Sequence, residues 1–143
     1  MTEGDETTER YLWFCPIATR WMDNDVYGHV NNVTYYSYFD SAANLFLIRE
    51  GGLDIVKSPV IGVVVDSRCT YREAVAYPDA LRAGLRVDKL GNRSVTYGIG
   101  IFREDGDRAC AHGHFVHVFV DRKTRQAVPI PEPIRTALET IVV

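Results

Sequence analysis

Apolar residues recur along the chain in two main rhythms, and each rhythm predicts a different kind of element. Residues 1–9 are polar throughout and are predicted to fray, as chain termini commonly do. Residues 11–20 carry strand-forming side chains and predict a first strand. Between 33 and 48 the apolar positions fall on almost every side of a helical wheel: Val33, Tyr35, Tyr36, Tyr38, Phe39, Ala42, Ala43, Leu45, Phe46, Leu47 and Ile48. A helix that is apolar all round is a buried one. Asn31 or Asn32 can cap its start, and the pair Gly51 and Gly52 can stop it. The predicted helix, 31–50, would be about 30 Å long at ~1.5 Å per residue. One narrow seam of small polar residues breaks its apolar surface: Thr34, Ser37, Ser41 and Asn44.

Beyond residue 60 the period drops to two. Val63, Val65, Cys69 and Tyr71 alternate with polar partners, and so do Leu81, Ala83, Leu85 and Val87, then Val95, Tyr97, Ile99 and Ile101. Such alternation predicts antiparallel strands with one face on a core and the other toward water. The stretches 90–92 (LGN) and 104–107 (EDGD) supply turns. A last strand, ACAHGHFVHVFV, becomes apolar on both faces, so part of its outer face is predicted to lie under another subunit. The tail, rich in prolines and then carrying Ile134, Leu138 and Ile141 on one stripe, predicts a short closing helix.

The resulting architecture is α+β: a single antiparallel sheet wrapped around a long central helix, in one domain spanning 10–143. One sheet cannot enclose a helix that is apolar on every side, so a second copy of the chain is expected.

Composition narrows the function. The 143 residues carry a net charge of −3, which offers no electrostatic footprint for nucleic acid. The N-terminal ten residues lack the apolar core of a secretory signal. No apolar run approaches the ~20 residues that span a bilayer, so no membrane segment is expected and the protein is expected to be cytoplasmic. Cys15, Cys69 and Cys110 lie in apolar or alternating runs, without the spacing of a disulfide framework, and are expected to be reduced.

The candidate chemistry sits in DNDVYGHVNN, residues 23–32, just ahead of the predicted helix. A carboxylate, Asp25, precedes a helix start, where backbone N–H groups lack partners and the dipole is positive. A base or nucleophile next to such donors suits attack on an activated carbonyl such as a thioester. The N–H groups near Asn31 and Asn32 would hold the oxyanion, Gly28 would admit a close backbone approach, and Thr34, Ser37 and Ser41 could line an acyl channel.

The block DNDVYGHVNNVTYYSYFDSA resembles the D-x-D-x-x-G-H-V-N-N-x-x-Y signature of hotdog-fold acyl-CoA thioesterases of the 4-hydroxybenzoyl-CoA thioesterase type. The resemblance runs on through YREAVAYPDALRAGLRVDKLGNRSVTYGIGIF and ends in VDRKTRQAVPIPEPIR. It implies hydrolysis of an acyl-CoA to a carboxylic acid and free coenzyme A, with Asp25 as general base or nucleophile and the amide of Asn32 as electrophile. Tyr27, Gly28, His29 and Asn31 would border the substrate. Arg93 and Ser94 match the region that contacts the coenzyme A portion. No cofactor or metal is implied beyond coenzyme A as part of the substrate. The family also implies a homodimer or homotetramer with its sites at the subunit interface.

Competing readings attach to several residues. Asp25 could cap the helix or pair with Arg20, and Asp23 reads as a structural bonder of loop amides. Asp40 is the one carboxylate within the predicted buried helix, and a second group of hotdog thioesterases places its catalytic carboxylate there. The glycine-rich lead-in of that group is absent. His112, His114 and His117 cluster in sequence, but strand geometry points the first two away from the third. A hotdog enoyl-CoA hydratase would need a D-x-N-P-x-H pattern, which is missing. A non-catalytic acyl-CoA-binding protein on the same fold is the remaining alternative.

Overall fold

The structure, a computed structural model, describes residues 6–143. Five strands form one antiparallel sheet: β1 (Trp13–Ala18), β2 (Val60–Tyr71), β3 (Ala80–Leu90), β4 (Ser94–Arg103) and β5 (Ala111–Asp121), in the spatial order β1-β3-β4-β5-β2. The long helix α1 (Thr34–Gly51) lies across one face, and α2 (Glu132–Glu139) packs beside it. This is the expected hotdog arrangement.

The inner layer follows the two periods read from the sequence. Leu81, Ala83, Leu85 and Val87 of β3, with Val95, Tyr97, Ile99 and Ile101 of β4, are sealed beneath Phe39, Ala42, Ala43, Phe46 and Leu47 of α1. Ile134, Leu138 and Ile141 close the far end. Complete burial of a Leu, Ile or Phe contributes about 1.5–3 kcal/mol each, so this layer supplies the main driving force for the fold.

Four features differ from expectation. First, α1 starts at Thr34 rather than at Asn31. Asn31 instead turns its side-chain oxygen onto the N–H of Val33, 3.1 Å away, and its carbonyl onto the N–H of Thr34. Second, α1 is buried on one face only. Val33, Ser37, Asp40, Ser41 and Ile48 are open, so Asp40 is a surface carboxylate bonded by the Asn44 side chain rather than a buried charge.

Third, β2 carries a bulge at Val65, which is 57% exposed, between the pairs Val64–His117 and Asp66–Val116. The extra residue shifts the alternation by one. Directly opposed residues share a face, so Val64 shares the face of His117, though it is itself 46% exposed, and Val63 joins the outer face with Val118. Cys69 and Tyr71 keep the inner register expected of them.

Fourth, residues 6–9 of the segment expected to fray are held, while residues 1–5 lie outside the described residues. The Glu6 carboxylate bridges Arg10 and Arg86, at 2.7 and 3.0 Å. The N–H of Thr8 donates to the carbonyl of Asp107, and that of Ala109 to the carbonyl of Glu6. This segment covers the outer face of the sheet, where Gly84, Gly98 and Gly100 form a bed without side chains. A Cβ at Gly84 or Gly100 would lie within 2.9 Å of Tyr11, and one at Gly98 would lie 2.6 Å from Arg86.

Candidate active site

The chain leaves β1 through a turn at Trp21–Asp23 and forms a narrow hairpin ahead of α1. Asn24 and Val30 pair across its base, the N–H of Asp25 donates to the carbonyl of His29, and that of Gly28 to the carbonyl of Asp25. Gly28 adopts φ 88°, a left-handed conformation that glycine takes at least cost. The hairpin is pinned from outside: the N–H of Tyr77 donates to the Asn24 side chain, and that of Val30 to the carbonyl of Val75.

Asp25 occupies the first corner of this hairpin. Its Oδ1 accepts the N–H of Tyr27 at 2.9 Å, an Asx turn that fixes the side chain. Among the described residues nothing donates to Oδ2, and Asp25 makes no ion pair with Arg20. Arg20 is bound to Asp23 instead.

Asn32 and Asp25 both line a cleft of about 380 Å3, whose walls also include Val30, Tyr35, Tyr71, Arg72 and Glu73. The neighbouring amides are all engaged: Asn31 N–H on the carbonyl of Asp23, Val33 N–H on the Asn31 side chain, and Thr34 N–H on the carbonyl of Asn31. Asn32 N–H alone in this stretch has no acceptor among the described residues. It lies two residues before α1, at the positive end of an 18-residue helix. The Tyr71 hydroxyl donates to the Asn32 carbonyl at 3.0 Å and so steadies that turn from β2. Burial raises the Tyr71 phenol well above its ordinary value, which keeps it a donor.

Asp25 also borders a second cleft of about 500 Å3 with Trp21, Asn24, Val26 and Gly28. Val26 and Tyr27 at the hairpin tip are 94% and 85% exposed. Together these clefts set a carboxylate and a free amide at one opening, an arrangement able to attack a carbonyl and hold the charge that develops on its oxygen.

The other predicted residues divide. Gly28 borders the second cleft, Asn31 braces the helix approach through its side chain, and Tyr27 and His29 are exposed and line neither cleft. Ser37 and Ser41 line a separate recess of about 310 Å3 with Pro16, Ile17, Arg20 and Tyr38, while Thr34 does not. Arg93 and Ser94 are not brought to Asp25 within one chain. Ser94 pairs with Val118, which pairs with Val63, roughly 25 Å along β2 from Tyr71 at ~3.3 Å per residue.

His112 accepts from Arg72, His114 lies 3.5 Å from Asp66, and His117 is buried in the core. Among the described residues no group of His, Cys, Asp or Glu is placed to hold a metal, and no helix is long and apolar enough to cross a membrane. Cys15, Cys69 and Cys110 are free, and burial raises all three thiols, that of Cys69 to about 11. A protonated thiol is a poor nucleophile.

The sequence pattern did not single out Tyr38, Tyr71 or Glu73 for the site. The two tyrosines were absorbed into apolar periodicities, and only the position of their hydroxyls reveals a second role.

Comparison with known proteins places the fold in a family. Residues 19–138 match the thioesterase-like superfamily. The PA5185 protein of Pseudomonas aeruginosa strain PAO1 superposes with a TM-score of 0.95 at 53% identity, covering 96% of each chain. The long-chain acyl-CoA thioesterase FadM of Escherichia coli strain K12 is 26% identical over 88% of this chain and 96% of its own length. The gentisyl-coenzyme A thioesterase BH1999 shares the fold, with a TM-score of 0.78 at 21% identity over 88% of this chain and 99% of that one. With the match spanning nearly the whole described chain, the protein belongs to the thioesterase-like superfamily and is a thioester hydrolase of the hotdog fold.

Proposed function

We propose that the protein hydrolyses acyl-CoA thioesters, with Asp25 as the catalytic carboxylate and the N–H of Asn32 as the oxyanion donor. The observation that supports this reading is the pair itself: a carboxylate with an unengaged oxygen and the one unengaged amide of the helix approach, lining a single cleft.

In the general-base form, Asp25 takes a proton from a water whose oxygen bonds to the thioester carbonyl carbon. The negative charge moves to the carbonyl oxygen and is held by Asn32 N–H. Collapse breaks the C–S bond, and the departing thiolate takes up the proton from Asp25. In the nucleophilic form, the carboxylate bonds to the carbonyl carbon, the thiolate leaves, and water then cleaves the mixed anhydride. Both routes give a carboxylic acid and coenzyme A, and neither needs a cofactor.

The active unit in this proposal is a homodimer, or a tetramer built from such dimers. The exposed Trp21, Met22, Val26 and Tyr27 beside the clefts, with Val33 just ahead of α1, are apolar ground that a second copy would cover. A partner subunit would also be the source of Arg93 and Ser94 for the coenzyme A portion.

The test is thiol release from a panel of short, long and aromatic acyl-CoAs. Wild type should release thiol from at least one class, and folded Asp25→Asn should lose at least about 100-fold in kcat. Undiminished turnover by Asp25→Asn would reject the assignment.

A further inference from the structure

We infer that Asp23 and Tyr38 are positioning residues: their hydrogen bond locks the loop bearing Asp25 to the helix whose approach bears the Asn32 amide. This rests on the reading of Asp25 and Asn32 given above. It adds a requirement that neither of those residues carries, namely a buried link that fixes their separation.

Asp23 is 1% exposed, and an ionised carboxylate in that position is costly unless fully bonded. Oδ2 accepts the Tyr38 hydroxyl at 2.7 Å and the Arg20 N–H at 2.9 Å, while Oδ1 accepts Arg20 Nε at 3.2 Å. Arg20 belongs to the same turn and its side chain is largely in solvent, so it cannot anchor the loop to anything else. Tyr38 is the one partner from another element, in the second turn of α1 and itself buried.

The backbone of Asp23 completes the link. Its carbonyl accepts the N–H of Asn31 at 2.9 Å, the residue directly before Asn32, and Asp25 follows two residues later. Asp23 therefore stands at the junction of three connections: forward along the chain to the carboxylate, across to the oxyanion donor, and down to the helix. Burial would raise the Asp23 carboxyl, but the Tyr38 hydroxyl and the Arg20 donors outweigh it and hold it below the usual carboxylate value. The link is thus charge-assisted, and stronger than one between neutral groups.

Without the phenol, the loop keeps its internal turns and its bonds to the backbone of Asn31, Val75 and Tyr77 but loses its side-chain tether to the second turn of α1. The reacting groups then sample wrong separations, and a displacement of ~1 Å can cost about 100-fold in rate. Substrate affinity drawn from the rest of the cleft is retained. A fall in kcat with KM unchanged is the signature, since the interaction lost is one realised at the transition state.

The experiment is steady-state thiol release by Tyr38→Phe, Asp23→Asn and the double variant, beside Asp25→Asn, with the folded fraction read by circular dichroism. Tyr38→Phe should lose about 10- to 100-fold in kcat with KM within about 2-fold. Asp23→Asn keeps a carbonyl to accept the phenol and should lose less. The double variant should be no worse than the poorer single, because both changes cut one link. Wild-type kcat in Tyr38→Phe, losses that add in the double variant, or losses matching an unfolded fraction would each overturn the positioning role. Full hydrolysis by Asp25→Asn would instead overturn the catalytic reading beneath it, so the two failures are distinguishable.

Discussion

Asp23 and Asp25 stand two residues apart in one loop and occupy opposite environments. At the base of the hairpin, Asp23 is sealed from solvent and bonded by a phenol, a backbone amide and a guanidinium. At its corner, Asp25 is half-open, touched by one amide and bordered by two clefts. In the proposed reading the same functional group is a fastener in one place and a reagent in the other, and the number of protein donors around each decides which. A carboxylate that has satisfied its oxygens within the protein has little left for a substrate. One with a free oxygen at an opening is available for chemistry, and its removal leaves few native bonds unmade.

The contrast is most directly broken by exchanging the costs. Asp25→Asn should abolish most turnover, at least about 100-fold, with no measurable change in thermal midpoint. Asp23→Ala should leave the Tyr38 hydroxyl and the Arg20 amide without their acceptor. Each buried group so stranded costs roughly 1–3 kcal/mol, readable as a midpoint lowered by several degrees in a thermal scan. Equal stability losses at both positions would erase the distinction.

Acid should act on the base of the loop and on the core. The native pKa of Asp23 is depressed, so its contribution to stability is complete above the unfolded-state value of 3.8 and disappears as pH falls through the lower native one. Burial depresses His117 to about 4 from its ordinary 6.5, which favours the neutral ring in the fold. Its contribution is complete above 6.5 and is lost progressively between 6.5 and about 4, up to about 3 kcal/mol. Denaturant melts of wild type and His117→Leu across that range should show a flatter pH dependence for the variant.

Smaller effects are expected at the tip. Gly28→Ala meets no neighbour within 4 Å but must hold φ near 88°, so it should cost only about 1 kcal/mol by chemical denaturation. Val26→Ser should change the stability of a single subunit by less than about 0.5 kcal/mol. Its effect would appear in sedimentation, as weaker association of the proposed dimer.

The strands β3 and β4, the body of α1 and the closing helix were legible because their hydrophobic periods are long and unbroken. A carboxylate ahead of the helix start was legible at Asp25, but such a position equally suits a cap, and the resemblance of the surrounding block is what singled it out. The start of α1 was misplaced because Asn31 serves as the hinge of a turn that precedes the helix, and both roles favour asparagine. The bulge in β2 was hidden by the run Val63, Val64 and Val65, where a slip of one residue leaves the pattern of side chains looking the same. The anchoring of residues 6–9 depends on Arg86, whose partner lies some eighty positions away in the chain, beyond the reach of any local rule. Tyr38 and Tyr71 looked like packing because their rings do pack; their hydroxyls are committed to Asp23 and to the Asn32 carbonyl.

The bed of glycines on the back of the sheet has a consequence for growth into larger assemblies. A second layer arriving there would first have to lift Tyr11 from its seat and strip Glu6 from the Arg86 guanidinium. Over β3 and β4 that side of the molecule is already occupied by residues 6–11. In the proposed assembly a second copy would instead meet the uncovered flank of the long helix or the rim strand β2.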